Sequence, residues 1–164
     1  MHPQITEIFN DAENRYLKPE ELRFVTQYVS SLPERLDAYR NLRDRELEIM
    51  QWVADQLQAQ MPQEKVETLE RCIKNALLML RYCAMGMLLN DEAFVKDRFL
   101  SWVSQTVKVY NTEAIDAALY HLLNQRLNQT LGSKSMSLLQ PILSMVQNTL
   151  VPQDEPANGV AIGW

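Results

Sequence analysis

Two cysteines and their neighbours are the residues in this chain whose types and spacing could do chemistry. Cys72 and Cys83 lie eleven positions apart, which is about three helical turns, or roughly 16 Å along one helix face. That separation is too long for a disulfide within one helix. Asn75 and Met79 fall on the same helical face, so these four residues could line one groove or form one seam of a core.

The sequence motifs typical of metal centres, hydrolytic enzymes and phosphate-binding loops do not occur in this sequence. The two histidines, His2 and His121, do not stand in a Glu-x-x-His pair, and the chain has no Cys-x-x-Cys, glycine-rich phosphate loop or Ser-His-Asp set. A globin-type haem would need a proximal histidine on the helix after the central one, and 91–110 contains none. We therefore expect no enzyme, no metal centre and no haem. His121 is expected to be a half-exposed neighbour of Tyr120.

The elements that must position these residues are helices. Only 4 glycines occur in 164 residues, so an all-β fold would lack the residues that its tight turns require. Apolar residues recur with the helical period, and capping residues, prolines and glycines predict seven or eight helices. Thr6 is predicted to cap the first helix, Pro33 to break the second from the third, and Gly132 to end a later one. The predicted ranges are 6–15, 19–31, 34–60, 66–89, 91–110, 112–131 and 136–150.

The segment 66–89 is apolar over so much of its circumference that we expect it to run through the centre of the domain. The predicted organisation is a single globin-like domain over 1–150, with a helical hairpin at 1–31 and a flexible tail at 151–164. The apolar stretch 82–89 is far short of the roughly 20 residues that a bilayer requires, and residues 1–10 do not resemble a signal peptide. We expect no membrane insertion and an intracellular location.

The charge balance bears on partners. There are 21 acidic and 16 basic residues, a formal net charge of −5, and no polybasic run. A nucleic-acid partner is therefore not expected. Two cysteines without a disulfide framework suit a reducing compartment.

Three segments, 6–17, 35–42 and 71–82, have the order and spacing of a known family, and the last of them reads RCIKNALLMLRY. They resemble the N-terminal helical hairpin, a following helix and the bilin-carrying helix of the phycobiliproteins of cyanobacteria and red algae. The match at 71–82 is the best of the three. The order and spacing of these segments, over roughly 4–150, make the resemblance specific. It implies an all-α, globin-like fold.

The resemblance also implies a ligand site. In the family, a linear tetrapyrrole is joined by a thioether to the cysteine that Cys72 matches. Lys74 stands where an arginine binds propionates, and Asn75 where an aspartate holds the pyrrole nitrogens. An amide offers one acceptor and no charge, whereas a carboxylate accepts from two pyrrole N–H groups. Met79 is one of two aliphatic residues that replace paired tyrosines.

These substitutions, and a short loop of nine residues between Pro62 and Cys72, disfavour both covalent attachment and a rigid antenna pigment. We expect a protein of a cyanobacterial-type photosynthetic cell that binds or handles a bilin, such as phycocyanobilin or a precursor. The alternative is a chromophore-free interaction protein that regulates or assembles a photosynthetic or bilin-synthesising complex. Either would act in the cytoplasm or at the thylakoid surface.

The last implication of the resemblance is assembly. In the family, an aspartate of the hairpin pairs with an arginine of the central helix in a neighbouring subunit, and Asp11 and Arg81 match those positions. A homodimer in which each Asp11 meets the other chain's Arg81 is the simplest arrangement. An intrachain partner for Arg81, or a solvated guanidinium, is the alternative. Phycobilisome or bilin-biosynthesis proteins are the other expected partners.

Overall fold

The computed structural model describes residues 2–152, which form helices and connecting turns with no strand among them. The all-α prediction is confirmed. The helices are α1 (Pro3–Asp11), α2 (Pro19–Gln60), α3 (Val66–Leu89), α4 (Glu92–Val95), a π-helical turn (Lys96–Leu100), α5 (Ser101–Tyr110) and α6 (Glu113–Leu150). The predicted tail at 151–164 lies outside the described residues except for its first two.

Helix α3 is the centre of the fold, as the sequence predicted. It packs against both α2 and α6, which also pack against each other. By length and composition alone α3 could cross a membrane. In the folded chain its apolar residues form part of the core, where nine of them are buried: Leu69, Cys72, Ala76, Met79, Leu80, Cys83, Ala84, Gly86 and Met87.

The predicted break at Pro33 is wrong, because α2 runs through it without interruption. Proline lacks an N–H, so the carbonyl of Val29 loses its helical hydrogen bond. Both Pro33 and Val29 are exposed, so water can satisfy that carbonyl. Nearby polar side chains add local bonds, with Ser31 donating to the Tyr28 carbonyl at 2.7 Å and Arg35 donating to Ser31 at 3.0 Å.

The first helix lies earlier than predicted. Its cap is His2, whose Nδ1 accepts a hydrogen bond from the Gln4 amide at 3.2 Å, and Thr6 lies inside the helix. Proline at the first helical position explains this start, since its missing N–H costs nothing there. The hairpin is held by Arg15, which forms a two-bond ion pair with Glu21 of α2 at 2.8 and 2.9 Å.

The second half of the chain bends at three backbone positions. Asn90 and Asn111 adopt the left-handed conformation, both with φ of 50°, and end α3 and α5. Gly132 has φ of 78° and ψ of 166° and breaks the helical course of α6, which confirms the predicted stop there. The predicted single helix over 91–110 is interrupted by the π-helical turn, a feature that an apolar pattern does not reveal.

Candidate functional site

The four predicted ligand residues on α3 do not share one surface. Cys72 and Met79 are buried in the core with exposed fractions of 2% and 0%, and Cys83 lies with them. Lys74 is exposed to solvent and Asn75 is half-buried. Of the two alternatives for this stripe, Cys72, Met79 and Cys83 therefore form a core seam, while Lys74 and Asn75 remain accessible from outside.

Asn75 belongs to a neighbouring stripe of α3 that faces the second half of the chain. Residues four, three and four positions apart share one side of a helix, which groups Asn75 with Arg71, Leu78 and Tyr82. At one end of the stripe the Arg71 guanidinium stacks over the Tyr110 ring, 4.1 Å from its centroid. At the other end the Tyr82 and Phe99 rings lie 5.4 Å apart. The two contacts set α3 antiparallel to the segment 99–110, which consists of the end of the π-helical turn and α5.

We call Arg71, Lys74, Asn75 and Leu78 the outer α3 face. Two aromatic side chains of α5 flank it, because Tyr110 lies under Arg71 and Trp102 extends the Tyr82–Phe99 pair outward. The Trp102 ring packs edge-on against Phe99 at 5.5 Å and is 41% exposed. Its indole N–H donates to the Arg98 carbonyl at 3.0 Å, which fixes the ring. The outer α3 face thus offers two cations and one amide between two flanking aromatic rings of α5.

Cys72 is buried in the fold, and so are two polar residues at the start of α6. The Thr112 hydroxyl donates to Oδ2 of Asp116 at 2.7 Å, and both residues are buried. Burial first, and then the negative charge of Asp116, raise the pKa of Cys72 to about 12. A thiol with such a pKa is a poor nucleophile at neutral pH, because the thiolate is the reactive form.

Arg81 lies on another flank of α3, at a groove between α2 and α3. The groove has a volume of about 380 Å³ and is mostly apolar, with Tyr39, Leu42, Arg43, Glu46, Leu80, Arg81, Ala84 and Met85 around it. Arg81 donates to Glu46 inside the chain and is 55% exposed. Asp11 is exposed on α1, with Arg15 3.6 Å away. An intrachain partner, one of the alternatives raised from the sequence, is therefore present.

The histidines stand apart from these sites. His121 is exposed and lines a cavity of about 370 Å³ with Tyr120, Asn124 and Gln147. His2 packs edge-on against Phe24 at 5.2 Å. Within residues 2–152, no three His, Cys, Asp or Glu side chains are grouped so that they could hold a metal ion.

The match that decides the family covers most of the chain. Residues 9–150 match the family model described as Phycobilisome protein. The chain belongs to the phycobilisome protein family. A search of the curated proteins found no match. Members of the phycobilisome protein family bind linear tetrapyrroles and share a globin-like, all-α fold.

Sequence reasoning missed several residues of this phycobilisome-family site. Asp116 stands four positions after Thr112, the cap residue of α6, whose hydroxyl donates to Asp116 and makes no hydrogen bond to the helix amides. An i, i+4 Thr–Asp pair at a helix start was the available signal. The Arg71–Tyr110 contact joins residues 39 positions apart, so no local sequence pattern predicts it.

Proposed function

We propose that this phycobilisome-family protein binds a linear tetrapyrrole reversibly on the outer α3 face and is neither an enzyme nor a standard antenna subunit. The observation that carries the proposal is the stacking of Arg71 on Tyr110 beside the exposed Lys74. A bilin is a flat conjugated molecule with two propionates. A surface that offers two cations and aromatic rings matches both its charge and its shape.

Each polar residue of the outer α3 face has its own role in binding the bilin. Arg71 and Lys74 are three positions apart on one helix face, close enough to take one propionate each. Asn75, half-buried between them and Leu78, offers its amide oxygen to a pyrrole N–H. A neutral amide does not favour a protonated, cationic pigment as a carboxylate would. The ligand class is phycocyanobilin or a precursor of it.

Reversible binding follows from the state of Cys72. A thioether requires the Cys72 sulfur to reach the ligand, and Cys72 is buried in the core with its thiol pKa raised to about 12. The thiol is therefore held in its unreactive, protonated form at neutral pH.

The test is a visible absorption titration of the purified chain with phycocyanobilin, before and after denaturation in acidic urea. We expect saturable binding that is lost on denaturation. Replacing Lys74 by Gln or Asn75 by Leu should weaken affinity several-fold, whereas Cys72→Ser should weaken it less. Lys134→Gln, an exposed lysine on the second half of α6, is the matched charge control. Equal affinity in the wild type, Cys72→Ser and Asn75→Leu would place the ligand elsewhere.

A second candidate function is supported by the groove around Arg81. A mostly apolar groove with charged residues at its rim suits a protein partner, and the exposed Phe9 of α1 offers a second apolar contact. This chromophore-free protein would form a homodimer through Asp11 and Arg81 and regulate or assemble a phycobilisome or bilin-synthesising complex, in the cytoplasm or at the thylakoid surface. Capture of a defined phycobilisome or bilin-biosynthesis protein from a cyanobacterial lysate, with no colour change on adding phycocyanobilin, would favour it over the first.

A further inference from the structure

A groove lies where α2 passes the point at which Gly132 breaks α6. Its volume is about 490 Å³, which is in the range of small-molecule sites. One wall is the polar edge of α2, with Glu34, Asp37 and Asn41, and the other is the start of the second half of α6, residues 133–150. The break itself is open, because a Cβ added at Gly132 would have no heavy atom within 4 Å.

Ser135 is the residue that points to a ligand in this groove. It is 8% exposed and lines the groove, yet its hydroxyl has no hydrogen bond with any residue of 2–152. Several other helical hydroxyls donate to their own helix, as Thr149 does to the Met145 carbonyl at 2.8 Å. Ser135 cannot do the same, because the non-helical Gly132 stands between it and the carbonyl four positions earlier.

The Ser135 oxygen opens on the groove and is not sealed in the core. Among the described residues, the side-chain polar atom that is both fully enclosed and without a partner is Nε of Arg126. The Ser135 oxygen therefore keeps some access to solvent, although its residue is more than nine-tenths buried. A buried hydroxyl that reaches only a groove is placed to bind what enters that groove.

The two walls of the groove carry opposite charges. Glu34 and Asp37 put carboxylates on the α2 wall. Lys134 puts an ammonium on the α6 wall, where the helix that restarts after Gly132 adds the partial positive charge of its first-turn amides. Asp37 pairs with Arg40 of its own helix at 3.3 Å. Within the part of the chain that the structure describes, neither acid forms an ion pair with Lys134, so the groove separates the two charges.

A ligand that suits both walls must carry both charges. A simple anion would be repelled by the carboxylates of α2, and a simple cation would be repelled by Lys134 and the helix start. A zwitterion can meet each wall with the opposite charge. Leu131 and Leu138 supply the apolar part of the lining, which suits an aliphatic group on the same ligand.

We propose that this groove binds a free α-amino acid with an aliphatic side chain. The Ser135 hydroxyl, the Lys134 ammonium and the first amides of the second half of α6 bind the carboxylate of the ligand. Glu34 and Asp37 bind its ammonium, and the side chain lies against Leu131 and Leu138. None of these residues belongs to the outer α3 face, so the inference does not depend on the proposed function.

The first experiment compares L-leucine with two fragments of it, by NMR titration of the backbone amides in the full chain. The fragment 4-methylpentanoate lacks the ammonium, and 3-methylbutylamine lacks the carboxylate. Leucine should shift the amide signals of 133–135 saturably, and each fragment should bind about tenfold more weakly or worse. If 4-methylpentanoate binds as tightly as leucine, the groove is an anion site and the inference is wrong. The absence of any saturable shift with leucine also overturns it.

A third ligand tests the apolar part of the lining. L-Glutamate has the same two backbone charges as leucine but a charged side chain, so it should bind about tenfold more weakly because its second carboxylate would be desolvated. Equal affinity for glutamate and leucine would contradict the aliphatic preference.

Single substitutions then place the ligand. Glu34→Gln should weaken leucine binding several-fold and narrow the preference for leucine over 4-methylpentanoate. Ser135→Ala should weaken leucine binding several-fold and leave that preference unchanged, because it acts on the carboxylate that both ligands share. If either variant binds leucine as tightly as the wild type, the ligand is not held as proposed and the inference is wrong.

The chain offers a matched control for each substitution. Ser144→Ala removes a hydroxyl from the same half of α6 at a position that pairs with Gln140, and Glu70→Gln removes an exposed carboxylate from α3. Neither change should alter leucine affinity. A loss of affinity in these controls equal to that in Ser135→Ala and Glu34→Gln would show a general effect of the substitutions and would overturn the placement.

Discussion

The Arg81 guanidinium on α3 donates two hydrogen bonds to the Glu46 carboxylate on α2, at 2.7 and 3.0 Å. Glu46 is the more buried partner, with its side chain 23% exposed against 55% for Arg81. A guanidinium has five N–H donors, and Glu46 occupies two of them. Arg81 is therefore neutralised inside its own chain and still presents N–H groups that could bind a second carboxylate.

The first prediction concerns dimer formation through the N–H groups of Arg81 that Glu46 leaves unoccupied. If Asp11 of a second copy binds Arg81, then Asp11→Asn and Arg81→Gln should each weaken the dimer by about 1 kcal/mol or more, roughly fivefold in Kd. Sedimentation velocity near the dissociation constant measures the shift toward monomer. Asp37→Asn is the matched control, because Asp37 is an exposed acid paired with Arg40 on α2. A wild type that sediments as a 19.1 kDa monomer at micromolar concentration contradicts the dimer.

The second prediction concerns the pH dependence of the N-terminal hairpin. Hydrogen bonds from Arg15 and from the Lys18 amide lower the pKa of Glu21 to about 2, against 4.5 for the ordinary carboxyl. A carboxyl with a lowered pKa stabilises the folded state above its unfolded pKa, and that contribution is lost as the pH falls through the folded value. The turn that joins α1 to α2 should therefore be held less firmly between about pH 4.5 and pH 2, and α1 with it.

Amide exchange of α1, followed across that pH range, is the measurement. Glu21→Gln should show lower protection of the α1 amides, relative to the unfolded chain, already at neutral pH and little further loss of protection on acidification. Glu20→Gln is the control, since the exposed Glu20 lies only 3.7 Å from Arg23 and does not join the helices. Equal acid sensitivity in the wild type and Glu21→Gln would mean that another group holds the hairpin.

Most helices could be predicted from the sequence because their signals are local. The apolar period of α3, the Asp91 side chain that accepts from the Phe94 amide at 3.0 Å, and the turn at Gly132 all follow from residues within a few positions. The break predicted at Pro33 failed for a non-local reason. Whether a proline ends a helix depends on whether the freed carbonyl reaches water, and that depends on how the helix packs.

Only part of the candidate site could be predicted from local helical spacing. Helical spacing correctly put Cys72 and Met79 on one face, but spacing cannot say whether that face meets solvent or core. The decision came from tertiary packing, because α2 and α6 both pack against α3 and bury Cys72 and Met79. Burial and distant partners are properties of the packed chain, so the inward direction of the thiol could not be read from α3 alone.

The third prediction compares two glycines that are required for different reasons. A Cβ at Gly86 would lie 2.5 Å from Cγ2 of Val95, and 3.3 Å from both the Asp91 carbonyl and Ile142. Such crowding cannot be relieved by a flexible side chain, because valine is stiff at χ1. Gly86→Ala should lower the free energy of unfolding by about 1–3 kcal/mol through overpacking.

At Gly132 the space is open, since no heavy atom lies within 4 Å of an added Cβ, but φ is +78°. Gly132→Ala should also cost about 1–3 kcal/mol, in this case through backbone strain. Denaturant unfolding measures both. Trimming Val95 to Ala should rescue Gly86→Ala in part and leave Gly132→Ala unchanged. Rescue of both variants, or of neither, would contradict overpacking at Gly86 and backbone strain at Gly132 as the separate causes.

The last prediction tests the continuity of α2. Because the helix passes through Pro33 without a break and this residue is exposed, Pro33→Ala should restore the hydrogen bond to the Val29 carbonyl and remove the steric clash of the ring. The gain in helix propensity is about 3 kcal/mol, offset by about 0.4–1 kcal/mol for the freer unfolded chain. A net rise of roughly 2 kcal/mol in the free energy of unfolding is expected.

Pro19→Ala is the control for that variant. Pro19 occupies the first position of the same helix, where the missing N–H would have no helical partner and the fixed φ suits the helix. Its replacement should leave the protein unchanged or slightly less stable. Urea unfolding of the two variants beside the wild type decides the matter. If Pro33→Ala is no more stable than Pro19→Ala, the helix is broken at residue 33 in solution. Glu21 and Glu46, the partners of Arg15 and Arg81, would then lie on two separate helices.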